Sequence, residues 1–163
     1  MPRDGDSAAS DLEARNHYLG IIDDAWEVYR EAVEHAWRDY ENALKPVREA
    51  YENAQTDAEA VHGKAIDEAW AEYKQAVADA PATMRRDVVT EARAKYNELA
   101  AQIREVYNAS MAAARDDYLK SVEEARAAYR AAVDVQLDAQ REAVAVAWTD
   151  YLKVVDASLL VQE

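Results

Sequence analysis

Apolar and polar positions along this chain return every eleven residues. "AWEVYREAVEH" (25–35) is followed at once by "AWRDYENALKP" (36–46), Trp over Trp and Tyr over Tyr. Lettering the repeat a to k with Ala25 at a puts Tyr18, Tyr29, Tyr40, Tyr51, His62 and Tyr73 at e. The repeat resumes in the second half, with Tyr96, Tyr107, Tyr118, Tyr129, Gln140 and Tyr151 at e. All ten tyrosines fall at e, and all four tryptophans (26, 37, 70 and 148) fall at b. Positions h, a, e and i form one stripe, the pattern of a helix packed along its length. Eleven residues span three turns at about 3.67 per turn, which keeps packed helices nearly straight or weakly right-handed in supercoil.

Between the halves the frame slips by one residue, since a moves from Ala80 to Ala92. The slip coincides with "ADAPATMRRD", where Pro81 disfavours helix at the residue before it. The spacing therefore predicts a flexible segment over 1–10, helix 1 over 11–79, a turn at 80–83, helix 2 over 84–158 and a tail at 159–163. Ser10 and Glu13 fit a capping box for helix 1, and Pro46 predicts a bend within it. At ~1.5 Å per residue each helix is a rod on the order of 100 Å. The fold class expected is all-α: a long antiparallel two-helix coiled-coil hairpin of eleven-residue (hendecad) repeats, oligomeric in turn. The chain resembles eleven-residue-repeat coiled coils in general, and that resemblance carries no functional residues with it.

A turn centred near residue 82 pairs residues whose numbers sum to about 164. Tyr107 then meets Ala54 and Ala58, Tyr129 meets Ala32 and Ala36, Tyr96 meets Ala65 and Ala69, and Tyr40 meets Ser121 and Ala125. Large rings filling small holes is what close packing asks for. The predicted core is Tyr29, Tyr40, Tyr51, Tyr96, Tyr107, Tyr118 and Tyr129, largely buried between the helices. On one flank Trp70 is set against Arg93, Trp37 against Arg126 and Trp148 against Arg15, as cation–π pairs. On the other, Glu72 lies near Lys95 and His17 near Asp150. The same pairs also form between two chains if the turn opens and helices swap.

Composition narrows the function. Gly and Pro number three each, so the chain has few turns. The net charge of −14 argues against nucleic-acid backbones and anionic membranes as partners. No stretch approaches the ~18 apolar residues of a membrane span. The start, "MPRDGDSAAS", lacks the apolar segment of a secretory signal, so the compartment is undecided and the cytoplasm is the default expectation. No cysteine is available for disulfides or thiolate metal sites.

No catalytic residue, cofactor or metal ligand is expected. There is no Gly-x-Ser-x-Gly and no Gly-rich phosphate loop. A di-iron carboxylate centre needs Glu-x-x-His on two helices, and only Glu59-Ala-Val-His62 has that spacing. A ferritin-like metal protein is thus one alternative, and an amphipathic lipid-surface binder another. The latter wants a broad greasy face bordered by lysines, whereas this stripe is Ala and Tyr beside acidic residues.

The favoured expectation is a non-enzymatic structural protein that partners itself in an oligomer or fibre. Residues 1–80 hold eight cationic and nineteen acidic side chains, a charge of −11, whereas 81–163 carry only −3. The outer face of helix 2 is rich in Ala, and the tail "SLLVQE" is apolar. The expected assembly interface is Ala112, Ala113, Val135, Val146, Leu159 and Leu160. Contact of helix 2 with a different patch on the next subunit propagates into a fibre, whereas helix 2 on helix 2 closes a pair.

Overall fold

The computed structural model describes the backbone over residues 4–160 and side chains over 9–157. Two helices, α1 (Asp4–Ala78) and α2 (Arg85–Leu160), form an all-α hairpin, with no strand among the described residues. The helices are as long as the turn-former count implies: Gly20, Pro46 and Gly63 stand inside α1 without ending it.

The boundaries differ from expectation at the ends. α1 begins at Asp4, so 4–10 is helical and Ser10 and Glu13 lie inside the helix instead of capping it. Ala9 belongs to the residue type that favours helix most, which suits a helix that runs on before Ser10. At the other end α2 continues through Leu160. The side chains of Leu159 and Leu160 lie outside the described residues.

The turn occupies 79–84. α1 closes with the Asp79 N–H donating to the Gln75 carbonyl at 3.0 Å, while Gln75 Nε2 donates to Asp79 Oδ2 at 2.8 Å. Pro81 stops the helix, and the Met84 N–H returns to the Pro81 carbonyl at 3.0 Å. The Met84 carbonyl then accepts from Asp87 and Val88, which starts α2 with the carboxylate of Asp87 in its first turn.

The chain divides into two compact units, residues 43–124 and residues 1–42 with 125–163. In the first, the Tyr51 and Tyr118 rings lie 5.3 Å apart, His62 and Tyr107 5.0 Å, and Tyr73 and Tyr96 6.0 Å. In the second, Tyr40 and Tyr129 lie 5.8 Å apart, and Tyr18 and Tyr151 5.6 Å. Every one of these pairs sums to 169. The register expected from a turn at residue 82 is therefore off by more than a helical turn. Position e meets position e, so ring meets ring where ring was expected to meet alanine. The observed turn, 79–84, has the same centre as the expected one, so its position does not account for the shift.

The seven core tyrosines lie mostly out of water without being fully enclosed. The most buried of the described residues are Leu44, Ala69, Ala147 and Gln140. Two helices shield a ring only along their common seam, and an aromatic side chain is too large to disappear there. Tilted ring pairs at these separations contribute about 0.5–1.5 kcal/mol beyond area burial. A double-mutant cycle with Tyr51→Ala and Tyr118→Ala, read by urea unfolding, should therefore give a coupling of about 0.5–1.5 kcal/mol. A register of 164 requires none.

Candidate functional site

Only two e positions lack tyrosine, and each of those layers opens into a groove. In the 43–124 unit, His62 leaves a gap beside Tyr107. There a groove of about 570 Å³ is lined by Ala54, Ala58 and Ala65 of α1, with Ile103 and Ser110 of α2. Val61 and Val106 form its lips, 64% and 62% exposed, and Asp57 and Gln102 border it. In the other unit Gln140 stands opposite Tyr29, and a smaller groove of about 290 Å³ is lined by Ile21, Ala25, Tyr29, Gln140 and Ala143. Asp24 and Val28 hold the rim positions there that Asp57 and Val61 hold in the first. One missing ring per groove accounts for both.

The tryptophans do a different job. Trp70 packs on Tyr73 (5.1 Å) and Tyr96 (5.6 Å), capping a tyrosine pair from the side. Trp37 does the same over Tyr40 and Tyr129, and Trp148 over Tyr18 and Tyr151. Trp26 covers Tyr29 alone at 5.7 Å. The expected pairing of Trp70 with Arg93 gives way to a Trp–Tyr cluster for a reason of register. Trp70 lies level with residues 98–99, so Arg93 and Arg104 fall five or six residues to either side. Each indole covers rings with one face and leaves the other to water: Trp26, Trp37, Trp70 and Trp148 are 45–46% exposed.

Polar side chains hold the other flank. Lys95 Nζ donates to Glu72 Oε2 at 3.1 Å across the helices, the pairing expected from sequence. Asp150 instead bonds Lys153 on its own helix at 2.8 Å. Both partners in each pair are well exposed, so neither contributes much to stability.

Asp57, His62 and Ser110 line one groove, yet no hydrogen bond joins them. A nucleophile and its base need to lie within about 2.6–3.2 Å. Glu59 accepts from Gln55 at 3.1 Å, and His62 is engaged with the Tyr107 ring. Among the described residues no group of three or more His, Asp or Glu could hold a metal. No helix among them is long and apolar enough to cross a membrane. Of the expected assembly residues, Ala112, Ala113, Val135 and Val146 are exposed on α2, the valines at 64% and 56%. Comparison with family models, curated proteins and solved structures finds no match for the chain.

The grooves were within reach of sequence reasoning, because His62 and Gln140 interrupt a column of tyrosines. In a register of 164 those two residues would face Leu99 and Ile103, and Ile21, in place of a tyrosine. If a missing ring makes the groove, restoring it should close it. His62→Tyr should raise unfolding stability by about 0.5–1.5 kcal/mol, the contribution of an aromatic pair, in urea denaturation. A neutral or destabilising result means the groove has another cause.

Proposed function

We propose that this chain is a non-enzymatic structural protein, the self-assembling subunit of a coiled-coil oligomer or fibre packed on its eleven-residue repeat. The observation that carries the reading is the exposure of the aromatic seam. Four tryptophans stay nearly half in water beside partly exposed tyrosines, and among the described residues the buried apolar side chains are one leucine and two alanines. Exposed apolar area of this extent marks an interaction surface. Its repetition at a fixed spacing suits a partner with the same spacing, and a second copy has it.

Three further features support the reading. Val135 and Val146 stand eleven residues apart, both at position k, so they share a face of α2 and are well exposed. The grooves lack a linked nucleophile and base. The net charge of −14 disfavours nucleic acid and anionic lipid as the general covering surface.

Sedimentation velocity across a hundredfold range of concentration, with electron microscopy of the largest species, tests the proposal. Wild type should shift from small to large particles, and Val146→Arg should retain its helical circular dichroism while shifting far less. A wild type that sediments as a single chain throughout overturns the reading.

A further inference from the structure

Two opposite edges of the helix pair carry opposite charge. At about 100° per residue, position b lies to one side of the seam, and positions d and k to the other. In an antiparallel pair each helix presents b on the same side, which the packing bears out. Trp70 at b reaches across to Tyr96, while Glu72 and Lys95, both at d, pair across the other edge. Within residues 43–124 the b edge carries Arg48, Arg93, Arg104 and Arg115 around Trp70, with Glu59 its one acidic member. The d and k edge carries Asp57, Glu68, Glu72, Glu91, Asp117 and Glu124, with Lys95 its one cation. All of these side chains are exposed. The larger groove opens on this acidic edge, between Val61 and Val106.

We infer that the arginine–tryptophan edge of one copy docks on the acidic, grooved edge of the next. This rests on the self-assembly reading and specifies its contact. Each edge offers what the other lacks. One presents an indole with a free face and a row of guanidinium groups. The other presents an apolar trough floored by alanines and bordered by Asp57, with further carboxylates along the same edge. Gathering four arginines on one edge of so acidic a protein costs self-repulsion, which an anionic partner surface relieves. Arg is also the cation best suited to a flat contact shared with carboxylates and rings.

The spacing fixes the fit. Trp70 lies about ten residues along α1 from the groove at Ala58–His62, a distance of ~15 Å. Sliding the neighbour by that amount, parallel to the first copy, sets its Trp70 over the groove. The same slide brings its Arg104 to the level of Asp57 and its Arg93 to the level of Glu68. The two edges differ, so the contact is heterologous and repeats from copy to copy.

The test is a charge swap on the full chain, read by sedimentation at low salt, with circular dichroism to establish that each variant stays helical. Asp57→Arg and Arg104→Glu should each weaken self-association about tenfold or more. The double variant should recover to within about threefold of wild type. Asp57 and Arg104 of one chain stand on opposite edges, so recovery can come only from contact between copies. Single variants that assemble like wild type, or a double variant no better than the weaker single, overturn the proposal and leave self-assembly standing. A wild type that never assembles overturns both. If the arginine edge instead serves a polyanion, short duplex DNA binds wild type, Arg104→Glu abolishes that binding, and Asp57→Arg leaves particle size unchanged. That pattern also overturns the proposal.

Discussion

A tyrosine ring is too large for the seam between two helices, and this limit shapes everything else in the molecule. The chain places a ring at the same position of every repeat but two, on both helices, and pairs the rings face to tilted face at 5.3–6.0 Å. The pairing holds the helices in one register. It also leaves each tyrosine partly exposed, because two helices cover a ring only along their seam. Indoles at position b cover three of the four tyrosine pairs from one side only. The other side is closed by short side chains and ion pairs, or stays open as a groove.

The fold was legible in the sequence because its signals were redundant. An unbroken eleven-residue phase, a frame slip and a proline at the slip all placed one turn between two helices. The register was not legible, and Tyr40 shows why. Rings against alanines and rings against rings both satisfy the same stripe, and the two differ only in how far one helix slides along the other. The turn's midpoint is the same for both, so its place in the sequence does not decide between them, and Met84 reaching back to Pro81 is a local detail that periodicity does not report. The start of α1 was missed for a similar reason. Ser10 and Glu13 match a cap, but the helix runs past them and begins at Asp4.

The same limit gives the grooves and the exposed edge a common origin. His62 and Gln140 each remove one ring from a pair and leave a gap bordered by an aspartate and a valine. The b edge, where the tryptophans sit, collects the arginines, and the d and k edge collects the carboxylates. None of this segregation is needed to hold two helices together, since exposed ion pairs contribute little. It gains a physical use when a second helix pair supplies the missing upper and lower layers. A bundle of helix pairs can enclose rings that one pair cannot.

The account therefore turns on whether water leaves the tryptophans when copies meet. Acrylamide quenching of tryptophan fluorescence, followed from dilute to concentrated protein, measures that directly. The account predicts that quenching falls and emission moves to shorter wavelength over the same concentration range in which particles grow. Tryptophans that remain equally quenched at every concentration, while the particles enlarge, would contradict it.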